Sequence, residues 1–186
     1  MKKFLRRIAE DNRSEPKQVI VYRDGVGDGQ MDIVKETEVS QVRAAYPKAL
    51  LDFVVVKKRI HNKFVLPKDG SYCNPPPGTV VNDLHNLEEE NAFYLISTIS
   101  NVSTVKPVHY VFLMKQSKIP MPEFQNLTFA LCHLYPNWPD AIKLPLPTQL
   151  AHKLAWQVGE CIKPKPQDTN TQIQVGPSLF GTMHYL

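Results

Sequence analysis

The sequence has few of the residues that cross-link small domains, and it has no long apolar run. Its three cysteines, Cys73, Cys132 and Cys161, are widely spaced and form no Cys-x-x-Cys pair. This set indicates neither a disulfide framework nor a zinc module, so we expect a reducing compartment, either the cytoplasm or the cytoplasm and nucleus together. No stretch reaches the ~20 apolar residues of a membrane span, and we expect no membrane partner. The basic segment at residues 1–7 lacks the apolar stretch of a signal peptide.

The composition indicates one ordinary domain without a strong bias of charge. The 186 residues are 42% hydrophobic, which is enough to bury a sizeable core, and no internal repeat is visible. The formal net charge of +4 is a mild basic excess that tolerates an anionic partner without requiring one. We therefore predict a single domain over residues 1–186.

The most informative stretch starts with the apolar run Val19-Ile20-Val21 and continues as YRDGVGDGQ to Gln30. A β-branched run that ends in an acidic residue and alternating glycines predicts a buried strand that delivers Asp24 to a loop of little side-chain bulk. This arrangement is typical of a metal ligand or catalytic acid that faces a phosphate-bearing substrate. A solvated aspartate in a glycine turn is the competing interpretation. A tight loop explains the glycines better than a nucleotide-binding loop that opens onto a helix.

Periodicity and breaker residues predict strands mixed with helices in an α/β or α+β layered domain. The predicted strands are residues 18–23, 49–56, 79–81, 92–98 and 108–114. The predicted helices are residues 2–11, 39–45 and 121–135, and a last helix with Thr148 as its N-cap. The third helix is expected to bury a stripe of Phe124, Leu127, Leu131 and Leu134. Residues 67–78 and 163–178 are predicted loops.

Six short motifs follow one another along nearly the whole chain. They are VIVYRDGVGDGQ at 19–30, KKRIHNKF at 57–64, NPPPGTVV at 74–81, PVHY at 107–110, LTFALCHLY at 127–135 and AHKLA at 151–155. In this order they resemble the PIWI domain of Argonaute and Piwi proteins, and the residues around Asp24 and Asn137-Trp138 are more similar to the Piwi branch. The resemblance implies an α/β, ribonuclease H-like fold and a role in small-RNA-guided gene silencing. It also implies guide RNA, target RNA and silencing-complex proteins as partners.

The same resemblance implies a metal site. In catalytically active relatives, two divalent metals, Mg²⁺ or Mn²⁺, are held by two aspartates, a histidine and a mobile glutamate. Such a metal pair activates the attacking water and stabilises the leaving oxygen when RNA is hydrolysed. Asp24 matches the second aspartate, and His152 matches the histidine through its AHKLA context. A lone helical histidine is more often structural, and imidazole suits Mn²⁺ better than Mg²⁺. Asp28 is left out of the metal set because Asp-Gly is an ordinary turn.

The basic segment after the second strand is the predicted RNA contact. In relatives, the residues that match Arg59, His61 and Lys63 contact the guide backbone, where spaced cations bind phosphates without reading sequence. A solvated strand end is the alternative for each of them. Lys153, beside His152, is a further candidate. The carboxylate of Leu186 is expected near the guide 5′-phosphate pocket, as in the family, and the apolar ending favours burial over a frayed tail.

The match to the family is incomplete. Asn82 stands where relatives usually carry aspartate, and Gln157 where many Argonautes carry an arginine that faces the guide phosphate. The resemblance covers only the C-terminal portion of a PIWI domain, lacking its first strands, so the other two metal ligands are expected upstream of residue 1. We therefore expect a fragment of a longer product, a truncated gene model or a relic. The 186 residues alone are expected not to cleave RNA efficiently.

Three hypotheses about function follow. In the first, the chain is the C-terminal part of a Piwi-like protein that binds small guide RNA, and its intact form is a candidate RNA-guided endoribonuclease that uses Asp24 and His152. In the second, it is a non-cleaving RNA-binding or scaffold protein of the same family. In the third, it is an unrelated ribonuclease H-like nuclease or integrase module, which a wide separation of Asp24 and His152 would favour.

Overall fold

The computed structural model describes residues 15–82, 92–161 and 182. The strands are β1 (Gln18–Asp24), β2 (Leu50–Lys57), β3 (Leu66–Lys68), β4 (Ser71–Cys73), β5 (Thr79–Asn82), β6 (Ala92–Ile96) and β7 (Val108–Lys115). The helices are α1 (Met31–Val34), α2 (Ser40–Ala45), α3 (Met121–Cys132) and α4 (Leu146–Cys161), with a 3-10 turn at Asp28–Gln30 and a π-helical turn at Lys35–Val39. The predicted helix at 2–11 and the predicted loop at 163–178 lie outside the described residues.

A five-stranded mixed sheet in the order β1-β2-β7-β6-β5 forms the centre of the fold. β1 and β2 are parallel, and the helical segment 31–45 makes the crossover that a parallel pair requires. The remaining neighbours pair antiparallel. Asp24 lies in register with Val56, so the carboxyl ends of β1 and β2 meet at one edge of the sheet. In open sheets this edge is where ligands bind.

Hydrophobic side chains cover both faces of the sheet, as the continuous apolar run of β2 requires. Val54 and Val56 point into a cluster with Phe124 of α3, and the alternate residues Phe53 and Val55 point into a second cluster with the helical segment 31–45. All four β2 residues are at most 1% exposed. The predicted strand at 49–56 is therefore confirmed as a buried strand, β2, which lies between β1 and β7.

Two predictions about loops were wrong. The glycine loop leads directly into helical structure from Asp28 onward, where we expected a helix only from residue 39. Gln30 explains the early start, because its side chain accepts the N–H of Gly27 while its own N–H donates to the Gly27 carbonyl. The predicted loop at 67–78 contains most of the β3–β4 hairpin. Its Asp69-Gly70 turn has positive φ angles of 49° and 77°, the backbone that a two-residue hairpin favours.

The last two helices also differ from prediction. α4 begins at Leu146, so Thr148 lies inside the first turn and is not the N-cap. Its N–H donates to the Pro145 carbonyl at 2.9 Å, and Pro147 is tolerated there because first-turn N–H groups need no helical partner. α3 ends at Cys132, three residues earlier than expected.

α3 buries only part of the predicted apolar stripe, since Phe124 is buried and Leu131 is half-buried. The buried positions are Phe124, Gln125, Thr128 and Cys132, whereas Leu127 is 37% and Leu134 is 57% exposed. Polar side chains fit this face because they bond locally: the Thr128 hydroxyl donates to the Phe124 carbonyl, and the Cys132 thiol donates to the Thr128 carbonyl. Hydrophobicity alone therefore predicted the burial of Phe124 correctly but missed the polar side chains that are buried beside it. In residues 15–82 and 92–161 no helix is long and apolar enough to cross a membrane.

Candidate metal and nucleic-acid site

Asp24 is the last residue of β1, and its side chain is only 8% exposed. One carboxylate oxygen, Oδ1, accepts the N–H of Gly25 at 2.8 Å. Gly25 has a φ of +79°, in the left-handed region that favours glycine, so the chain turns sharply immediately after the carboxylate. Val26 then packs into the core at 7% exposure and anchors the loop. The strand and the turn together hold the Asp24 carboxylate at the sheet edge, as the sequence pattern predicted, but β1 is a half-buried outer strand and not the buried strand that we expected.

Two side chains from other elements converge on the second oxygen of Asp24, Oδ2. His152 Nε2 of α4 lies 2.5 Å from it, and Lys58 Nζ lies 2.8 Å from it. His152 is 40% exposed and Lys58 is 36% exposed, so both reach the carboxylate from the solvent side. The predicted pair of Asp24 and His152 is thus in direct contact. The hypothesis of an unrelated nuclease or integrase module was favoured by a wide separation of Asp24 and His152, and the structure shows no such separation.

An open cavity of about 550 Å³ lies over this group of side chains. The glycine loop and the end of β2 form its walls, and its lining includes Asp24, His152, Lys58 and Arg59. No atom lies within 4 Å of where a Cβ on Gly25 would project. A loop of small residues therefore leaves room for a bulky ligand next to the carboxylate.

The rim of the cavity carries a second ion pair. Lys57 donates to the Asp28 carboxylate, which is 87% exposed, and this hydrogen bond holds the pKa of Asp28 below its usual range. Both residues line the cavity. Lys57, Lys58 and Arg59 outnumber the two carboxylates of the lining, Asp24 and Asp28, and this positive excess suits a ligand that carries negative charge.

A further pair that the sequence did not reveal braces the strand end. Arg23 donates from Nε and from its terminal nitrogen to the two carboxylate oxygens of Glu38, at 2.7 and 2.9 Å. It also donates to the backbone carbonyl of Asp24. Glu38 lies in the π-helical turn, and its pKa is lowered by the hydrogen bond from Arg23. Arg23 thereby links the helical segment 31–45 to Asp24, the candidate metal ligand.

The donors at this site fit two ligands of a divalent cation. A carboxylate oxygen and an imidazole nitrogen on one side of an open cavity are a donor pair that Mn²⁺ accepts, and Mg²⁺ accepts less readily. Among the described residues, no group of three or more His, Cys, Asp or Glu side chains could hold a metal ion. Asp24 and His152 can therefore supply two ligands, and any others must come from water, from a phosphate or from residues other than the described ones.

The predicted RNA contacts fall into two groups. Arg59 is exposed and lines the cavity. His61 and Lys63 are exposed on the chain that follows Arg59, and Lys153 is half-buried on α4. None of these three residues is among those that line the cavity in the part of the chain that the structure describes. Leu186 lies outside the described residues. Direct contact with RNA stays a prediction for all five.

A second cationic cluster was missed from the sequence. Lys143 has a pKa below its usual range, first because it is partly buried and then because Lys106 and Lys58 lie close to it. These lysines are far apart along the chain, and no local pattern marks them. Their proximity extends the positive charge from the cavity towards the start of α4.

The two departures from the family pattern have structural surroundings. Asn82 Oδ1 accepts the side-chain amide of Gln125 on α3 at 2.8 Å, so this position links the edge strand β5 to the helix. Gln157 is half-buried on α4. Its Oε1 is buried without a hydrogen-bond partner among the described residues.

Comparisons with known proteins agree with these features. The Piwi domain family model matches residues 1–163. The chain is 37% identical over 170 residues to Piwi-like protein Ago3 of Bombyx mori, covering 88% of this chain and 18% of that protein. The crystal structure of Drosophila Piwi superposes with a TM-score of 0.74 at 34% identity, over 84% of this chain and 22% of that one. Kluyveromyces polysporus Argonaute, solved with a guide RNA, superposes with a TM-score of 0.73 at 20% identity, over 85% and 20%.

The chain spans about a fifth of the length of the curated relatives it matches, which is 18% to 20% of the first three. The mixed α/β sheet matches the ribonuclease H-like lobe of solved Piwi and Argonaute proteins, so the predicted fold class is confirmed. The resemblance to the Piwi branch is confirmed as well. The family model covers most of the sequence, and the chain therefore belongs to the Piwi domain family.

Proposed function

We propose that this chain is the RNA-binding C-terminal part of a Piwi-family protein that acts in small-RNA-guided gene silencing. The observation that carries the proposal is the cavity at the ends of β1 and β2, where Asp24 and His152 face Lys58 and Arg59 beside a bare glycine loop. The guide RNA in the solved Kluyveromyces polysporus Argonaute supports a nucleic acid as the ligand. The target RNA and silencing-complex proteins are further proposed partners, and we propose a cytoplasmic site of action that extends to the nucleus.

Phosphate binding follows from the charges around the cavity. Arg59 offers a planar fork of N–H donors that matches a phosphate, while Lys57 and Lys58 present point charges. Lys143 lies near both Lys58 and Lys106 and extends this surface. Such contacts neutralise backbone phosphates without reading bases, as a protein loaded with many different guides requires.

We further propose that the intact protein uses Asp24 and His152 as two ligands of Mg²⁺ or Mn²⁺ in an RNA-guided endoribonuclease. A bound divalent metal would supply a water activated for attack and stabilise the leaving oxygen. Asp24 is held in place by the Gly25 N–H and by the end of β1, so its carboxylate is preorganised for a cation. His152 approaches the other carboxylate oxygen, Oδ2, from α4 and leaves the cavity side open to a phosphate.

A non-cleaving RNA-binding or scaffold protein is the second candidate function. It is favoured by the pairing of Asp24 with Lys58, and by the lack of a third metal-ligand side chain among the described residues. These two candidate functions are distinguished by a cleavage assay in which a longer protein that contains this chain acts on a guide-matched RNA. Loss of metal-dependent cleavage in Asp24→Ala, with guide binding retained, supports the endoribonuclease. Undiminished cleavage in that variant would rule out the catalytic role of Asp24.

RNA binding by the chain itself is tested with a short single-stranded 5′-phosphorylated RNA in a fluorescence anisotropy titration. We expect the affinity to fall steeply as salt rises, because phosphate neutralisation releases counterions. Affinity that does not depend on salt would contradict the proposed phosphate surface.

A further inference from the structure

The Asp24 carboxylate already has a cation on the oxygen that a metal would need. Lys58 Nζ lies 2.8 Å from Asp24 Oδ2, and His152 Nε2 lies 2.5 Å from the same atom. An ammonium group has three donors and no lone pair, so Lys58 cannot itself be a metal ligand. It competes with a metal for the same oxygen.

Burial explains why a lysine is found there. The Asp24 side chain is only 8% exposed, and a buried carboxylate without a compensating charge is strongly destabilising. Lys58 follows the last residue of β2 and lies two residues beyond Val56, the register partner of Asp24 in the parallel pair. Its own side chain is 36% exposed and borders the open cavity, so the ammonium can leave the carboxylate for solvent without disturbing the core.

We propose that Lys58 is the resident counter-ion of Asp24, which a divalent cation must displace before Asp24 and His152 can bind it together. This inference rests on the proposed role of these two residues as cation ligands. Lys58 neutralises the carboxylate when no metal is bound, so the folded chain tolerates the empty state. The same contact raises the cation concentration needed to fill the site, because entry breaks a charge-assisted hydrogen bond and brings two positive charges together.

The neighbouring lysine provides a matched control. Lys57 carries the same charge one residue away and lines the same cavity, but its partner is Asp28, whose side chain is 87% exposed. Replacing either lysine by methionine removes one positive charge and keeps most of the length of the side chain. Only Lys58→Met removes the direct competitor at Asp24.

The test is Mn²⁺ binding to the purified chain, followed by the loss of the free-ion electron paramagnetic resonance signal. We expect Lys58→Met to bind Mn²⁺ about tenfold more tightly than the unmodified chain, the size expected for one half-exposed charge-assisted hydrogen bond, and Lys57→Met to change the affinity less than about twofold. Mn²⁺ should also raise the Tm of Lys58→Met more than that of Lys57→Met, because it replaces a missing charge.

The outcomes separate this inference from the site itself. If Asp24→Ala binds Mn²⁺ as well as the unmodified chain, Asp24 is not a ligand and both proposals fail. If Asp24→Ala loses binding but Lys58→Met binds no more tightly than the unmodified chain, the site stands and the counter-ion role is wrong. The role is equally wrong if neither the unmodified chain nor Lys58→Met binds at millimolar Mn²⁺.

Discussion

The ion pair between Arg23 and Glu38 should make a measurable contribution to stability, because it ties the helical segment to the strand end that carries Asp24. Its two hydrogen bonds are 2.7 and 2.9 Å long, and the side chains are 39% and 37% exposed. Exposed ion pairs contribute ~0.2–1 kcal/mol because solvent screens them, and the two-pronged geometry places this pair in the upper half of that range. We expect a coupling free energy of about 0.5–1 kcal/mol.

The assay is urea unfolding of the unmodified chain, Arg23→Met, Glu38→Gln and the double variant, combined as a double-mutant cycle at pH 7. The cycle cancels the separate hydrogen bond from Arg23 to the Asp24 carbonyl, which both Arg23 variants lack. Glu15 and Lys48 form the control pair, since they are 3.7 Å apart and their side chains are 72% and 84% exposed. Their coupling should be close to zero.

The coupling should also depend on pH with a defined sign. Arg23 lowers the pKa of Glu38 in the folded chain below its ordinary value of 4.5, so the unfolded chain binds the proton more readily. The stabilisation is therefore complete above about pH 4.5 and is lost as the pH falls through the lower folded-state pKa. A coupling at pH 7 no larger than that of the control pair would refute the bracing role of Arg23 and Glu38.

Three further predictions concern single side chains. Tyr22→Phe removes a 2.9 Å hydrogen bond to Thr128 and should lower the free energy of unfolding by ~1 kcal/mol in urea. Because burial raises the pKa of Tyr22 to about 12 from 10.0, the advantage of tyrosine over phenylalanine should shrink as the pH rises between these values. Gly78→Ala should lower the free energy of unfolding by about 1–3 kcal/mol, because φ is +86° and the added Cβ would lie 3.0 Å from the Phe129 ring. Thermal unfolding should show a smaller loss of stability for Gly70→Ala, where no atom lies within 4 Å of the added Cβ. Arg59→Ala should reduce the slope of log affinity against log salt for single-stranded RNA by about 0.7, and an unchanged slope would show that Arg59 contacts no phosphate.

Sequence reasoning located the site where a local pattern and a family motif coincide. Asp24 ends a β-branched run before a glycine loop, which is a local pattern, whereas His152 was identified only by its AHKLA motif. The two residues are 128 positions apart in the chain, so their contact was predicted from the family resemblance and not from spacing. The glycine loop was recognised as open space for a ligand. The helix that follows it was missed because Gln30 closes the turn by hydrogen bonds, without a serine or threonine cap.

The features that escaped prediction depend on tertiary proximity. Glu38 pairs with Arg23 from a π-helical turn, and Lys143 lies near Lys58 only in the folded chain. The burial of Thr128 on α3 was missed because its hydroxyl forms hydrogen bonds inside the helix and with Tyr22, which hydrophobic periodicity does not register. The hairpin at Asp69-Gly70 is an exception, because Asp-Gly is a favoured hairpin turn and is visible in the sequence. It was missed because each of its strands is only three residues long, too short to show a strand pattern.

The central claim about this protein is that Asp24 and His152 bind one divalent cation together. The most direct measurement is an anomalous difference map from crystals of the chain grown with Mn²⁺. The account predicts a peak at the cavity, about 2 Å from both Asp24 Oδ2 and His152 Nε2, with the Lys58 ammonium moved away from the carboxylate. A map in which the ion lies at Asp28 or elsewhere, while His152 and Lys58 stay on Asp24, would contradict it.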